Sequence, residues 1–423
     1  MRARIWFGLG CGLIAAVFAG CTADDVAHDG EAADDAGDPG KADGRAPGCA
    51  AAVGGDHYEF LDDVCHQKRF PTNRDRALAC PVVATTATPT LASGRTVVYR
   101  PAGSPVDVDD GALVGIVPAN LDVTEILVRR VNGVPHYRYL SNGSHGDAFQ
   151  PWSSTKFMAV ANAAAALRAA SNAQVGLTSS VGGLPLGDLA TVIHSYDERR
   201  YSSNGLARYF HNVGGRSRAN GLIHGWLGRP ATETFGGNYG EPAPLLGYQF
   251  VESSGAMTTV SPDSSPGPAN HLSTQTLAEF LKRLVMHRED ATTRLPGMQW
   301  ADVATLLYGA ERSTWYTSPW GGMSSDTAIY AQAALPLATI EQRSGGRWRM
   351  FSKLGFGNGE FVHVSYSCLP VIDASGAPVV DVGKEVFMAV RLASGGSNDA
   401  ERDALLARYY REILTRVTDG RLK

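Results

Sequence analysis

A serine and a lysine separated by two residues, Ser153 and Lys156, are the side chains of this sequence best suited to covalent chemistry. Residues 157–167 follow them without Gly or Pro and are rich in Ala, a pattern that predicts a mostly buried helix. Residues three apart lie on one helix face, so the hydroxyl and the amine should meet at the first turn. The amine could accept the hydroxyl proton while the helix dipole favours the alkoxide, so the pair predicts a nucleophilic serine.

Two further short motifs follow in the chain, a Ser-x-Asn at residues 202–204 and a Lys-x-Gly at residues 353–355. The second motif stands at the end of a predicted strand and supplies another cation. Each motif also has a purely structural interpretation. The Ser-x-Asn can be a polar turn, and Lys353 can be a surface residue of its strand.

In order and context, the three motifs resemble those of the penicilloyl serine transferases, the family of the penicillin-binding DD-peptidases and the serine β-lactamases. The resemblance covers roughly residues 95–418, and it includes the predicted helix at residues 274–285, which begins in a Ser-Thr-x-x-Leu-Ala context. It implies acyl transfer through an acyl-Ser153 intermediate. Peptidoglycan stem peptides, β-lactams or related amides and esters are the implied substrates, with no cofactor.

The resemblance also assigns roles to individual side chains. Ser153 would be the acylated nucleophile and Lys156 its general base, with the pKa of Lys156 lowered by burial and by the nearby cation Lys353. Ser202 would relay a proton to the leaving nitrogen. Asn204 would bind a substrate amide and help to hold Lys156.

The Lys-x-Gly strand would complete the substrate site. The backbone N–H groups of Ser153 and Phe356 would form the oxyanion hole, and Gly355 would let the substrate lie edge-on against the strand. Leu354 departs from the family, in which a Thr or Ser hydroxyl binds the substrate carboxylate. A lost charge-assisted hydrogen bond is worth about 1.5–3 kcal/mol, so Leu354 should weaken recognition of a substrate carboxylate.

Deacylation in class A β-lactamases uses a Glu in a Glu-Pro-x-Leu-Asn context. Glu241 begins the sequence Glu-Pro-Ala-Pro-Leu-Leu, which has an additional Pro and lacks the Asn. Glu241 is therefore a candidate deacylation base, and the alternative is a loop Glu at a turn.

Other chemistries have weaker support. A Ser-His-Asp triad has candidate histidines but no Gly-x-Ser-x-Gly sequence to present a serine. No spacing of His, Cys, Asp or Glu predicts a metal site. The net charge of -4 and pI of about 6.3 give no basic field for nucleic acid. The histidines that flank the middle region are His145, His194, His211 and His224.

The N-terminus predicts export and lipid anchoring. Residues 1–20 have two arginines and a short apolar run that ends in small residues before Cys21. They resemble a lipoprotein signal peptide, which implies lipidation of Cys21 and a membrane-anchored location in the bacterial envelope, at the outer membrane or periplasmic face. An ordinary signal peptide is the alternative. Residues 22–48 are acidic and rich in Ala and Gly, so they should form a disordered tether.

Four cysteines remain in the exported part of the chain, three of them in the predicted N-terminal segment 49–94. An oxidising compartment favours two disulfides. Four cysteines allow three connectivities, and the sequence does not choose among them. They are Cys49, Cys65, Cys80 and Cys368.

Strand patterns occur on both sides of a helix-rich middle region. We therefore predict the α+β class for residues 95–423, with one antiparallel sheet built from both chain ends, flanking helices and an inserted all-helical lobe. A domain that has lost turnover and serves as an envelope binding or scaffold protein is the alternative function. The predicted strands cover residues 96–100, 112–117, 126–130, 136–140, 346–352, 359–366 and 385–392, and a closing helix covers residues 398–418.

Overall fold

The structure is a computed structural model that describes residues 80, 84–195, 201–265, 267–311, 313, 322–324, 349–375, 377–395 and 399–423. The predicted signal peptide, the acidic tether and most of the 49–94 segment lie outside this part of the chain. Their assignments, and the lipidation of Cys21, stay predictions.

The strands come from two separate parts of the chain. Their bounds are Arg100–Pro101 (β1), Val108–Asp109 (β2), Leu121–Val131 (β3), Val134–Ser141 (β4), Ala148–Phe149 (β5), Ser180–Val181 (β6), Leu184–Pro185 (β7), Gln249–Val251 (β8), Met257–Thr259 (β9), Leu272–Ser273 (β10), Arg349–Gly357 (β11), Glu360–Ile372 (β12) and Pro378–Leu392 (β13). The main sheet has the order β1-β4-β3-β13-β12-β11, with β2 paired parallel to β4. Early and late strands thus meet at the antiparallel β3–β13 pair, which confirms the predicted fold class.

Helices cover both faces of this sheet. They are Lys156–Ala170 (α1), Leu186–Ser195 (α2), Ser203–Gly214 (α3), Arg216–Gly221 (α4), Thr274–Val285 (α5), Trp300–Tyr308 (α6) and Asp399–Thr418 (α7). One apolar cluster joins the sheet to the lobe between β5 and β11, and a second joins it to α7. The lobe is not purely helical, since β7-β6-β8-β9 form a small antiparallel sheet within it.

The predicted elements agree best with the structure where the local conformational preference of the residues is strong. Asn132 and Gly133 both have positive φ, 52° and 80°, as a two-residue hairpin turn requires, and they join β3 to β4. The strand predicted at residues 112–117 is wrong, because this stretch forms turns through Gly115 at φ 78°. The strand predicted at residues 96–100 is reduced to β1, which begins at its last residue.

A disulfide joins Cys80 to Cys368 in β12, across 288 residues of sequence. Cys49 and Cys65 lie outside the described residues. Within the described part of the chain, no helix is long and apolar enough to cross a membrane. The same residues contain no cluster of His, Cys, Asp or Glu arranged to hold a metal ion.

Candidate active site

The predicted nucleophile lies in a 3-10 turn, Trp152–Thr155, that leads directly into α1. Trp152 has φ 51°, a left-handed conformation that is uncommon for a bulky residue and is often found at functional sites. Its indole N–H donates to Glu360 Oε2 at 3.2 Å. A Cβ on Gly357 would lie 2.3 Å from the indole ring, so the ring covers the glycine closely. These contacts fix the backbone immediately before Ser153, which is half-buried.

Lys156 lies on the first turn of α1, as the sequence predicts, and is 1% exposed. Its Nζ donates a hydrogen bond to the hydroxyl oxygen of Ser203 at 2.9 Å. Ser203 is the first residue of α3 and is fully buried. The family resemblance assigns the proton relay to the neighbouring Ser202, whereas the hydroxyl that accepts from Lys156 is that of Ser203.

Ser202 is instead the N-cap of α3, and its hydroxyl oxygen accepts from the Gly205 N–H at 3.0 Å. The same hydroxyl donates to Glu241 Oε2. Asn204 Nδ2 donates to Glu241 Oε1 at 3.2 Å. Glu241 therefore lies in a loop, but its carboxylate is anchored at both oxygens by the first turn of α3.

The Glu241 loop runs beside the Trp152–Thr155 turn that carries Ser153 (the nucleophile turn). The Tyr239 hydroxyl lies 3.3 Å from Thr155 Oγ1, and Asn270 Nδ2 donates to the same oxygen at 3.2 Å. Asn270 Oδ1 also accepts from the Gly237 N–H at 2.8 Å. Through these bonds the loop is tied to the residues directly after Ser153. The signal in the sequence was the Glu-Pro pair, but nothing in it identified Tyr239 or Asn270.

Alternate residues of the edge strand β11 face the nucleophile turn. A Cβ on Gly355 would lie 2.5 Å from the Pro151 carbonyl oxygen and 3.0 Å from the Ser153 nitrogen. Lys353, two residues earlier and therefore on the same face of the strand, is fully buried. The sequence explains Gly355 by the need to admit substrate, and the structure adds a second reason, the close approach of the Ser153 turn.

Leu354 points to the other face of the sheet. It is 2% exposed and belongs to the apolar cluster between the sheet and α7. The expectation that residue 354 would face the substrate is therefore wrong, because strand alternation places its side chain in the core. Phe356 shares this face, and its ring lies 4.6 Å from that of Phe361.

His194, at the end of α2, lies near both lysines. Burial lowers its pKa to about 3, with further lowering by the positive charges of Lys353 and Lys156. Its Nδ1–H donates to the Ala190 carbonyl oxygen at 2.7 Å. Within the residues that the structure describes, Nε2 has no hydrogen-bond partner. The imidazole is thus neutral, and its Nε2 is an acceptor close to the side chains of Lys353 and Lys156. The sequence named His194 only as a residue flanking the middle region, since one His in an apolar helix carries no specific signal.

No protein-family model and no curated protein matches this chain. Solved structures of class A β-lactamases are similar to it. One is a variant of the last common ancestor of the Gram-negative bacterial enzymes, with 15% identity, 72% of this chain and 96% of that chain covered, and a TM-score of 0.41. The β-lactamase of Sphaerobacter thermophilus DSM 20745 has 14% identity, coverage of 73% and 98%, and a TM-score of 0.37. That of Chitinophaga pinensis DSM 2588 has 14% identity, coverage of 72% and 96%, and a TM-score of 0.37.

Proposed function

We propose that this chain is a serine hydrolase of the β-lactamase/DD-peptidase kind that acts through an acyl-Ser153 intermediate. The observation that carries the proposal is the buried Lys156, one helical turn after Ser153 and hydrogen-bonded to Ser203. Burying an ammonium ion costs several kcal/mol, even after the surrounding structure has relaxed. Two buried lysines, Lys156 and Lys353, both close enough to His194 for their charges to lower its pKa, favour a catalytic arrangement over a structural one.

In acylation, the neutral amine of Lys156 would take the proton of the Ser153 hydroxyl as Oγ attacks the substrate carbonyl carbon. Burial and the charge of Lys353 favour that neutral amine. The carbonyl oxygen would become an oxyanion facing the backbone N–H groups of Ser153 and Phe356. Collapse would re-form the carbonyl and break the bond to the leaving nitrogen or oxygen. The proton would reach the leaving atom through Ser203, which already bonds Lys156.

In deacylation, Glu241 would act as the base for an incoming water. The water oxygen would attack the acyl carbon, its proton would move to the carboxylate, and the ester bond to Ser153 would break with return of a proton to Oγ. The hydrogen bonds from Ser202 and Asn204 would keep the Glu241 carboxylate in one orientation. Positioned acid–base groups of this kind contribute about 10²–10⁴-fold in rate.

The substrates we propose are β-lactams, peptidoglycan stem peptides or related amides and esters. We propose that the enzyme meets them at the bacterial envelope, anchored through a lipid on Cys21. The buried Leu354 removes the sequence argument against activity, because that side chain does not face the site.

The test is covalent labelling of the purified chain with a fluorescent penicillin and with a fluorophosphonate, followed by intact-mass measurement. We expect an adduct on the wild type that is lost in Ser153→Ala and kept in Ser254→Ala, a control at an exposed turn. Glu241→Gln should accumulate the acyl adduct, because only deacylation is slowed. If neither reagent labels the wild type, the hydrolase proposal fails and the non-catalytic binding role takes its place.

The two adjacent serines give a sharper comparison. Ser203→Ala should slow acylation about 10²-fold or more, because the bond to Lys156 is lost. Ser202→Ala should acylate normally but deacylate slowly, and it should lose about 1 kcal/mol of unfolding free energy with the helix cap. The reverse pattern in stopped-flow labelling would return the proton relay to Ser202.

A further inference from the structure

His194 is a buried polar side chain to which the acylation and deacylation steps above give no role. It lies near the end of α2 and is fully buried. Thr191, three residues earlier and so on the same helix face, accepts from the Gly322 N–H at 3.0 Å, which places this face in the interior. Buried polar groups are nearly always hydrogen-bonded, so a free ring nitrogen at this depth calls for a physical reason.

The tautomer of His194 follows from its one hydrogen bond. Nδ1 lies 2.7 Å from the carbonyl oxygen of Ala190, on the preceding turn of the same helix. Because a carbonyl oxygen can only accept, the proton of the neutral ring is on Nδ1, and Nε2 keeps its lone pair. Within the described part of the chain Nε2 has no hydrogen-bond partner, so this lone pair is a free acceptor.

Two cations from other elements lie close to this ring. Burial is the largest cause of the low His194 pKa of about 3, and the charges of Lys353 and Lys156 lower it further. Charges shift a neighbouring pKa when they lie within about 4–6 Å, so side chains of β11 and α1 converge on His194. Of the described residues, these two lysines are the charged groups that act on the ring. His194 therefore gives the cluster an acceptor without a third positive charge.

Acylation changes the charge of this cluster. In the proposed mechanism Lys353 is charged, and Lys156 is neutral until it takes the Ser153 proton. The transfer leaves two ammonium groups near one imidazole, and both lysines are buried, at 1% exposure for Lys156 and 0% for Lys353. Like charges in a buried site repel each other, and an acceptor already fixed in place stabilises positive charge as it develops.

We propose that His194 is a positioning residue for acylation, whose Nε2 accepts a hydrogen bond from the Lys353 ammonium while Lys156 receives the Ser153 proton. This role, which rests on the proposed serine-hydrolase function, involves no proton transfer to the imidazole. The proton moves from Ser153 Oγ to Lys156 Nζ, and the bond to His194 offsets the repulsion that opposes this transfer. Lys353 is the donor because its charge acts on the ring more strongly than that of Lys156.

The test is the pH profile of the acylation rate in wild type, His194→Leu and His194→Gln, by stopped-flow labelling with whichever of the two reagents labels the wild type. Leu offers no acceptor, so the plateau rate should fall about 10–100-fold, as the loss of a charge-assisted hydrogen bond predicts. The acid limb, set by Lys156, should move to lower pH, because the state with two ammonium groups is destabilised. Gln places a carbonyl oxygen near the position of Nε2 and should restore both the rate and the limb.

His287→Leu is the matched control. His287 is also buried, and its Nδ1 has no partner among the described residues, so its loss should leave the acylation profile unchanged. A merely structural loss at His194 would admit water to the lysines and move the acid limb to higher pH, and Gln would not rescue it. The role of His194 is overturned by that result, by wild-type labelling in His194→Leu, or by equal profiles in the Leu and Gln variants.

Nitrogen NMR of the full chain labelled at histidine tests His194 independently of activity. We expect the Nδ1–H tautomer between about pH 5 and 8, with an Nε2 resonance that follows the titration of Lys156 and no longer moves in Lys156→Met. A doubly protonated ring or an Nε2–H tautomer at neutral pH would overturn the role of His194 even if Ser153 is labelled. If neither reagent labels the wild type although the NMR result is as expected, the hydrolase function itself is overturned, and the acylation role with it.

Discussion

Gly355→Ala is the substitution for which the structure gives the most definite expectation. The added Cβ would lie 2.5 Å from the Pro151 carbonyl oxygen, 2.7 Å from the Ser154 nitrogen and 3.0 Å from the Ser153 nitrogen. All three atoms are backbone, so no side chain can rotate away. Ordinary contact begins at 3.4 Å, so β11 or the nucleophile turn must move by about 0.9 Å to accept the Cβ.

That displacement has two measurable consequences. Overpacking of this kind costs about 1–3 kcal/mol of unfolding free energy. A misplacement of about 1 Å at a reacting group costs on the order of 10²-fold in rate. We therefore expect the acylation rate of Ser153 to fall about 100-fold while the protein remains folded.

The assay is stopped-flow labelling with a fluorescent penicillin or a fluorophosphonate, beside urea unfolding of the same preparations. Gly111→Ala is the matched control, because a Cβ there meets no atom within 4 Å and its φ is not positive. Wild-type labelling and stability in Gly355→Ala would refute the close approach of β11 to the turn. A stability loss without a change in labelling would refute the position of Ser153 relative to β11.

Two further predictions concern stability. Burial raises the pKa of Glu125 to about 8, so the folded state holds a proton that the unfolded state releases above its ordinary pKa of about 4.5. The unfolding free energy should fall as pH rises between these values, by at most about 5 kcal/mol, and Glu125→Gln should remove that slope in urea titrations. If the pH dependence of the unfolding free energy is unchanged in Glu125→Gln, groups other than Glu125 cause it. Cys80→Ser should lower the unfolding free energy by about 2–5 kcal/mol, because the disulfide to Cys368 cannot form. Cys49→Ser is the control, and peptide mapping should show the Cys80–Cys368 bond intact in it. Equal losses of unfolding free energy in the two variants would contradict this prediction.

The sequence predicts those parts of the site that depend on short-range spacing. The Ala-rich run without Gly or Pro predicts α1, which begins at Lys156, and Ser153 lies three residues earlier in the 3-10 turn that leads into this helix. The Asn-Gly turn between β3 and β4 is likewise determined by local conformational preference. The antiparallel sheet follows because both chain ends carry strand patterns and need a common partner.

The choice between Ser202 and Ser203 could not be made in this way. It depends on the residue at which α3 begins, because successive helical residues point about 100° apart. Helix starts are uncertain by one or two residues even when a structure is known. Ser202 is used as the cap, so Ser203 is the residue turned toward Lys156. The anchoring of Glu241 could not be predicted either, because it arises from a contact between residues 39 positions apart in the chain.

Leu354 is the position at which the sequence motif and the structure lead to opposite predictions for the same substitution. Motif matching suggests that Leu354→Thr would restore a donor for a substrate carboxylate and raise activity. In the structure Leu354 is packed between the sheet and α7, so the change would remove apolar contacts and bury a hydroxyl. We expect a loss of about 2–5 kcal/mol in urea unfolding and no gain in the acylation rate with carboxylate substrates. Leu354→Met, of similar volume, should cost less than about 1.5 kcal/mol and serves as the control. Faster acylation in Leu354→Thr with unchanged stability would mean that residue 354 faces the substrate and that the face assignment of β11 is wrong.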